Sequence, residues 1–345
     1  MRNTRRALAD FAEGPQSTDS PLYGAMTRAI MKSETLMRMV EKTPENQPVP
    51  LHLLAALQYL IGRTPEHALT GFYVEPEHRG SLDELQEAME QFATSHQDEI
   101  ELLLATRTVQ TNETGRAGAL VPGFCLIYER TRLPLATIEI GAAAGLLMGW
   151  PDFFYDYGNA GQLGSSSSLV KLQTEVRGPR TLPLPSDLPP YAERIGIDRS
   201  PLAVSDPDDA DWLRALVWPE HPGRLERLNF AIETVANDPP YILQADAPDG
   251  LDSLLMQIDG ATTRVIFHSI ALYQSDRETW TRIDEVLLAA SRSRPVFRLG
   301  LEFDAGQKGI DQPFLTLSVY ERGGISKEVL AQVQYHGRWI EWLVG

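Results

Sequence analysis

The sequence lacks the residues that several classes of protein require. It contains a single cysteine among 345 residues, so no disulfide can form within the chain and no thiolate metal site is available. Its seven histidines show no H-x-x-x-H or H-E-x-x-H spacing, and neither G-x-x-x-x-G-K-[ST] nor G-x-S-x-G occurs. These absences predict a protein without a metal ion, a P-loop or an elbow serine. The cysteine, Cys125, lies in an apolar segment and is expected to be structural.

Positive charge is also scarce. Lys and Arg total 31 against 47 Asp and Glu, which gives a formal net charge of −16 and predicts a surface that repels nucleic acid. The longest apolar run, LPLATIEIGAAAGLLMGW, contains Glu139 and is therefore a poor membrane span. The first residues lack the apolar stretch of a signal peptide. We therefore expect a cytoplasmic protein with neither a nucleic-acid nor a membrane partner, and its oligomeric state is left open.

The amino-terminal part of the chain has helical patterning. Apolar residues recur at spacings of three and four in SPLYGAMTRAIMKSETLMRMVEK and PLHLLAALQYLIGR. Ser81 followed by Glu84 has the spacing of a capping box, which predicts a helix start. We predict a helical region over residues 1–116 and a second domain over residues 117–345.

The second domain has a different rhythm, in which short β-branched runs alternate with amphipathic helices. This pattern predicts an α/β fold with a Rossmann-like, doubly wound and mostly parallel sheet. PFLTLSVYE and VLAQVQYHGRWIEWL are close enough along the chain to form an antiparallel pair at the carboxyl end. A segment rich in Tyr, Gly, Ser and Pro at about residues 151–190 is predicted to be an insertion.

Acidic residues end three successive predicted strands. The first strand runs into E-I-G-A-A-A-G, in which Glu139 precedes Gly141 and Gly145 and a helix is expected to follow. The second ends in G-I-D at Asp198, and the third in Q-A-D at Asp246. Because the carboxyl ends of parallel strands share one sheet edge, three acids there suggest a nucleoside pocket at the switch point of the sheet. Close strand-to-helix packing is the alternative reason for the small residues, and helix capping for a single Asp.

These segments, followed by an apolar fourth strand and a terminal antiparallel pair, resemble the class I S-adenosylmethionine-dependent methyltransferases from Leu133 onward. The resemblance implies that the turn at Glu139, Gly141 and Gly145 faces the methionine part of the cofactor. It also implies that Asp198 binds the ribose hydroxyls and that Asp246 lies beside the adenine amino group.

The whole chain resembles a bacterial family that is catalogued as a domain of unknown function, number 2332. The segments that carry the likeness are RTVQTNETGR, IEIGAAAGL, YDYG, GIDRSPL, DPDDADWLRALVWPE, VIFHS and HGRWIEWL. This resemblance implies no activity.

A methyl acceptor would need polar residues near the cofactor. His268, at the end of the fourth strand, and Glu113 are the candidate catalytic bases. A structural role for His268 is an equal alternative, as is helix capping for Asn112 and Arg116. The candidate substrate-binding residues are Arg107, Gln110, Asn112, Arg116, Tyr155, Tyr157 and Trp218.

Three functions follow from these observations. The first hypothesis is an S-adenosylmethionine-binding, methyltransferase-like protein acting on a small molecule. The second is a non-catalytic module that binds a nucleoside or cofactor on the same fold, because the acceptor residues are less recognisable than the cofactor acids. A nicotinamide-dependent oxidoreductase ranks third, since Ala143 breaks the G-x-G-x-x-G spacing.

The segment Asp238-Pro239-Pro240-Tyr241 resembles a signature of DNA amino-methyltransferases. It precedes the third predicted strand, however, and Pro is common at the start of a strand.

Overall fold

The computed structural model describes residues 3–74, 80–110, 112–273, 275–303 and 312–345. The chain divides into two compact units. The first comprises residues 1–111 and 206–226, and the second comprises residues 112–205 and 227–345. The sequence patterning predicted a boundary after residue 116 and gave no reason to group residues 206–226 with the amino-terminal helices.

The described part of the first unit is helical. Its helices are α1 (Thr4–Glu13), α2 (Pro15–Asp19), α3 (Pro21–Lys32), α4 (Glu34–Val40), α5 (Leu51–Ile61), α6 (Ala68–Val74), α7 (Leu82–Ser95), α8 (Gln97–Thr106) and α10 (Pro207–Ala215). The capping box is confirmed at α7, where the Ser81 hydroxyl accepts from the Glu84 backbone N–H and the Glu84 carboxylate accepts from the Ser81 backbone N–H.

Helix α10 joins this unit through Trp212. Its buried indole ring makes edge-to-face contacts with His52 and Tyr59 of α5, and its Nε1 donates to the Thr108 carbonyl at 2.9 Å. A large aromatic side chain of this kind stabilises a distant segment against helices that precede it by 150 residues or so in the chain. The local spacing of apolar residues does not predict a contact between segments so far apart in the chain.

The second unit contains the remaining elements. Its helices are α9 (Ala117–Thr131), α11 (Pro222–Asn237, whose first turn falls in the first unit), α12 (Ala247–Gln257) and α13 (Arg277–Ala290). Its strands are β1 (Leu135–Ile140), β2 (Phe154–Asp156), β3 (Gln162–Leu163), β4 (Lys171–Gln173), β5 (Glu175–Arg177), β6 (Tyr191–Asp198), β7 (Tyr241–Gln244), β8 (Thr263–Ser269), β9 (Val296–Glu302), β10 (Phe314–Glu321), β11 (Gly324–Val333) and β12 (Trp339–Trp342).

The main sheet has nine strands in the order β5-β12-β11-β10-β9-β8-β1-β6-β7 and is mostly parallel. Strands β7, β6, β1, β8 and β9 are parallel neighbours and, numbered along the chain, follow a 3-2-1-4-5 order. The direction of the winding reverses between β1 and β8, which is therefore the switch point. Beyond β9, strands β10, β11 and β12 form an antiparallel meander, which is one strand larger than the predicted pair.

Helices cover both faces of this sheet, and neighbouring residues of β8 identify them. Phe267 makes an edge-to-face contact with Phe124 of α9, whereas the next residue, His268, makes one with Trp280 of α13. Successive side chains of a strand point to opposite faces. We refer to the two sides as the α9 face and the α13 face.

The segment between β1 and β6 differs from the predicted pattern. An α-helix was expected directly after Gly145, but a 3-10 turn over Leu146–Asp152 follows, and it contains Pro151. Proline removes a backbone donor and disfavours continuation as an α-helix. The rest of the segment forms a three-stranded sheet in the order β3-β2-β4 and then the edge strand β5.

Candidate functional site

Two loops meet at the switch point of the sheet. Gly141, directly after β1, has a φ of +73°, and a Cβ there would lie 2.6 Å from the Cβ of Ala271 in the loop after β8. Ala143 at +48° and Ile270 at +51° also have left-handed backbones, which cost free energy in residues that carry a Cβ. Strained residues of this kind cluster at functional sites, and here they mark both loops.

Backbone N–H groups of the loop after β1 are used inside the protein. Gly141 and Ala142 both donate to the Ile197 carbonyl, at 2.9 and 3.2 Å. Ala143 donates to the Asp198 Oδ2 at 2.8 Å. These three donors are therefore already engaged, and they do not form the open anion cradle that a pyrophosphate requires.

Gly145 closes this loop with a φ of +71°. A Cβ at this position would lie 2.7 Å from the Cγ of Pro240, just before β7. Glycine is required here by both the backbone conformation and the close approach of the neighbouring segment. This geometry supports the packing explanation for this small residue.

Asp198 ends β6 and is buried. Besides the bond from Ala143, its Oδ1 accepts from the Ser200 backbone N–H at 2.8 Å, so the carboxylate joins the loop after β1 to the turn after β6. Asp198 therefore has a structural role, which the turn-capping alternative predicted.

Glu139 is the most unusual carboxyl group at this edge. It lies on the α9 face of β1, in register with Phe267, and is 2% exposed, and its Oε2 has no hydrogen-bond partner in the described part of the chain. Burial raises the pKa of Glu139 well above its ordinary value of 4.5, the nearby negative charge of Asp198 raises it further, and Arg116 opposes this effect. A buried and unsatisfied carboxyl group is costly unless a ligand completes it.

Arg116 places a buried cation beside this carboxyl group. Its Nη1 donates to the Ser269 carbonyl and its Nε to the Tyr335 carbonyl, both at 3.0 Å. The guanidinium thereby links the segment before α9 to the end of β8. We call Glu139, Asp198 and Arg116 the β1 edge cluster.

Glu113 occupies a second buried ionic arrangement in the same segment. Its Oε1 lies 3.2 Å from the Arg227 Nη2 and its Oε2 lies 3.2 Å from the His336 Nδ1. The Oε1 also accepts from the Gly115 N–H at 3.0 Å. Two donors therefore engage Oε1, and Oε2 lies beside an imidazole ring, which is the arrangement of a structural carboxylate more than of a base awaiting a proton.

His268 lies on the other side of the sheet. It is 1% exposed and its Nδ1 lies 2.7 Å from the Glu302 Oε1. The same carboxylate accepts from the backbone N–H groups of residues 271, 272 and 273, at 3.0 to 3.1 Å. Glu139 and His268 therefore do not share a face, although both belong to the carboxyl edge of the sheet.

Asp246 is exposed at the start of α12 and forms an ion pair with Arg199. It does not belong to the buried β1 edge cluster. Asn112 is half-buried in the segment before α9, and its Nδ2 has no hydrogen-bond partner among the described residues. The structure therefore brings Glu139, Asp198 and Arg116 together and leaves Asp246 at the surface.

Tyr155 and Tyr157 are buried with satisfied hydroxyls. The Tyr155 hydroxyl donates to the Trp150 carbonyl at 2.7 Å, and the Tyr157 hydroxyl donates to the Gly118 carbonyl at 2.8 Å. Burial raises the pKa of both phenols well above 10.0. Burial also raises the pKa of the Cys125 thiol to about 12, which fits an unreactive core cysteine.

Three predicted substrate residues belong to the first unit. Arg107 forms an ion pair with Asp209, and Trp218 packs against Phe11 with ring centroids 6.1 Å apart. Gln110 is half-buried. These contacts are internal to the helical unit.

Two residues that contact the predicted site residues are not predicted by the sequence. Glu302 ends β9 at the same carboxyl edge as the acids singled out from sequence, so the strand-end rule applied to the fifth strand would have found it. Arg227 lies within α11, and the sequence carries no signal that it meets Glu113.

No group of three or more possible metal ligands occurs among the described residues, and none of the described helices is long and apolar enough to cross a membrane.

Comparison with known proteins gives one match. A family model described as "Uncharacterized protein conserved in bacteria (DUF2332)" matches residues 5–342. The chain belongs to this family. No curated protein and no solved structure matches it.

Proposed function

We propose that this protein binds S-adenosylmethionine at the β1 edge cluster and is a methyltransferase-like protein acting on a small molecule. The observation that carries the proposal is the Glu139 carboxyl group, which is buried at the switch point of a 3-2-1-4-5 sheet and has one oxygen without a partner among the described residues. Ligands of open α/β sheets bind outside the carboxyl ends of the strands at this point.

The charge of the cluster favours a ligand with cationic groups. Glu139 would accept a hydrogen bond from the ammonium group of the methionine part, and such a bond to an ionised acceptor is stronger than a neutral one. Asp198, at the end of β6, would accept hydrogen bonds from the ribose hydroxyls. The donors of the adjacent loop are engaged with the Ile197 carbonyl and with Asp198, which disfavours the pyrophosphate of a nicotinamide cofactor.

The bound cofactor would supply a methyl group on a sulfonium, which needs no further activation. The chain's own contribution would be positioning and the exclusion of water. The buried Arg116 fixes the end of β8 against the segment before α9, and it thereby holds the surroundings of Glu139 in place.

A second candidate function, binding without turnover, is favoured by the positions of the two predicted bases. His268 lies on the α13 face, opposite Glu139, and Oε1 of Glu113 already accepts from Arg227 and from the Gly115 N–H. A module that keeps the cofactor acids but has no free base would bind the cofactor and not transfer its methyl group.

Calorimetric titration with S-adenosylmethionine and with its demethylated product tests the proposal. Burial raises the pKa of Glu139, and an ammonium group bound beside it should lower that pKa again. Binding should therefore release a proton to the buffer at pH values that lie between the pKa of the free protein and that of the complex. The binding heat should therefore differ between phosphate and Tris buffers. Glu139→Gln should abolish the buffer dependence and weaken binding by at least about tenfold.

The matched control is Glu233→Gln, which removes an exposed carboxylate on α11 and should leave both the affinity and the buffer dependence unchanged. The absence of heat and of a thermal shift with millimolar ligand would reject the proposal. Methyl transfer to a bacterial metabolite extract separates the two candidates, because only the methyltransferase-like protein forms demethylated product above background.

Asp198→Ala measures the two roles of that carboxylate. Loss of the bonds to Ala143 and Ser200 should lower the free energy of unfolding by about 1–2 kcal/mol. Loss of the ribose bonds should weaken S-adenosylmethionine binding by about tenfold or more. A variant that is less stable but binds normally would show that the ribose does not contact Asp198.

A further inference from the structure

A cavity of about 570 Å³ lies on the α13 face of the second unit. Its volume is in the range of small-molecule binding sites. It is separate from the β1 edge cluster, since Glu139 and the cavity residue His268 point to opposite faces of the sheet. The described residues that line it are His268, Tyr273, Ser275, Arg277, Trp280, Arg298, Gly300, Glu302, Phe303, Phe314, Thr316, Ser318, Lys327 and Val329.

The register of the sheet explains why a depression forms here. His268 pairs with Gly300, Gly300 with Thr316, and Thr316 with Val329, which makes one row across four strands. A Cβ on Gly300 would lie 2.6 Å from the Cε1 of His268. Because Gly300 has no side chain, the imidazole of His268 fits beside it, and the sheet surface has a depression at the centre of this row of residues.

The neighbouring row carries positive charge. Arg298 pairs with Ser318, and Ser318 pairs with Lys327. The Arg298 Nη1 lies 2.7 Å from the Asp284 Oδ1 and is therefore neutralised. Lys327 forms no ion pair with another described residue, and neither does Arg277 at the start of α13.

The only carboxylate among the described lining residues is Glu302, and it is fully committed. It accepts from His268 and from three backbone N–H groups of residues 271–273. In a chain with a net charge of −16, this cavity therefore presents an excess of positive charge. Such a local field attracts anions and not the cationic groups expected at Glu139.

His268 supplies an unsatisfied polar atom at the cavity wall. Its side chain is 2% exposed, and its Nε2 is buried without a hydrogen-bond partner in the described part of the chain. Nδ1 is bonded to Glu302, and the ring atoms nearest to a Cβ built on Gly300 are Cε1 at 2.6 Å and Nε2 at 2.9 Å. A buried polar atom in this position is expected to meet a ligand or a water.

The remaining walls are aromatic. Trp280 lies on α13, Phe314 on β10, and Tyr273 contacts Phe303 edge-to-face with ring centroids 5.7 Å apart. Aromatic faces and edges favour a planar apolar group.

We propose that this cavity binds a small aromatic anion, whose carboxylate or phosphate lies between Arg277 and Lys327 and whose ring packs against Trp280. The hydroxyls of Thr316 and Ser318 can donate to the same anionic group, and His268 Nε2 would meet a polar substituent on the ring. This site is independent of the proposed cofactor site.

The fluorescent aromatic sulfonate 1-anilinonaphthalene-8-sulfonate is the probe for this site. We expect the full-length folded protein to bind it with one-site saturation and with an affinity that falls as salt concentration rises. Benzoate and phenyl phosphate should displace it, and the stronger competitor identifies the preferred anion. Benzyl alcohol, which has the ring but no charge, should not displace it.

Charge-removing variants locate the binding. Arg277→Gln and Lys327→Gln should each weaken probe binding by about tenfold, and the double variant should weaken it further. Lys171→Gln is the matched control, because it removes an exposed lysine on β4 that does not line the cavity. Glu139→Gln should leave probe binding unchanged, which keeps this test distinct from the test of the cofactor site.

Equal probe affinities for the wild type and the Arg277→Gln, Lys327→Gln double variant at the same ionic strength would overturn the proposal. Displacement of the probe by benzyl alcohol as readily as by benzoate would also overturn it, because the site would then select an apolar ring without charge.

Discussion

At the carboxyl ends of the strands, the two faces of the main sheet differ in how their carboxyl groups are hydrogen-bonded and in which charges lie near them. On the α9 face, Glu139 and Asp198 place two carboxyl groups close enough for each to affect the other. On the α13 face, Glu302 is the one carboxylate among the described lining residues, and it is hydrogen-bonded to His268 and to backbone N–H groups, whereas Arg277 and Lys327 line the cavity without an ion pair to a described residue. Neighbouring residues of a single strand, Phe267 and His268, separate these two environments.

Because of this difference, the two sites that we propose would prefer ligands of opposite charge within one sheet of an acidic protein. Alternation along a strand sends successive side chains to opposite faces, so the charge of a ligand can select the face that binds it. The net charge of −16 describes the surface as a whole and does not describe either site. The loops after β1 and β8 are common to both faces, because Gly141 is in close contact with Ala271.

The largest expected effect is that of Glu302→Ala, which should disturb both faces. The change leaves three backbone N–H groups of the loop after β8 and the buried His268 without their acceptor. We expect the free energy of unfolding to fall by about 3 kcal/mol. Chemical denaturation measures this, and binding of both the sulfonate probe and S-adenosylmethionine should weaken.

Glu321→Ala is the control for this prediction. Glu321 ends β10, is half-exposed, and lies 3.6 Å from Arg322 in a surface ion pair. Its loss should change the free energy of unfolding by about 0.5 kcal/mol or less. Equal effects of the two substitutions would mean that Glu302 does not hold the loop after β8.

An intermediate effect is expected for Gly141→Ala, which tests the contact between the two loops. Alanine at a φ of +73° costs about 1–2 kcal/mol, and the contact with the Ala271 Cβ should raise the total to about 3 kcal/mol or slightly less. Gly323→Ala is matched in backbone, with a φ of +78°, but a Cβ there meets nothing within 4 Å. The difference between their melting temperatures isolates the loop contact, and equal melting temperatures would mean that the loops move apart without cost.

The features that sequence predicted best depend on residues close in the chain. The capping box at Ser81 and Glu84 spans three residues and is observed at α7. The alternation of strands and helices predicted a mostly parallel sheet, and Glu139 and Asp198 were placed at strand ends because each ends a short apolar run. Local patterns of this kind determine both the element and the position of a residue along it.

Other features depend on distant contacts and left no local signal. Trp212 groups α10 with helices that precede it by more than 140 residues, and Glu302 meets the loop after β8 from another strand. The separation of Glu139 from His268 follows from the register of β1 with β8, since Glu139 pairs with Phe267 and Ile140 pairs with His268. Motif spacing gives the strand end but not the face, and a shift of one residue in register reverses the face.

The smallest expected effect is the change in the free energy of unfolding caused by Glu139→Gln. The pH dependence of this change tests whether the carboxyl group on the α9 face differs from the one on the α13 face. The folded pKa of Glu139 is raised above 4.5, so the folded state holds a proton that the unfolded state releases. The contribution of this group to stability is therefore fully present below pH 4.5 and is lost as pH rises from 4.5 toward the folded pKa. Replacing Glu139 with the neutral Gln should remove this loss.

Thermal unfolding of the wild type and the variant between pH 4.5 and pH 8 measures the effect. The variant should be the more stable protein at pH 8, by about 1 kcal/mol, with a difference that shrinks toward pH 4.5. Glu233→Gln, at an exposed position on α11, should show no such trend. A Glu139→Gln protein that is less stable than the wild type at pH 8 would mean that the chain itself satisfies this carboxylate. In that case Glu139 would hold the fold together in the way Glu302 does, and the two faces would not differ as we describe.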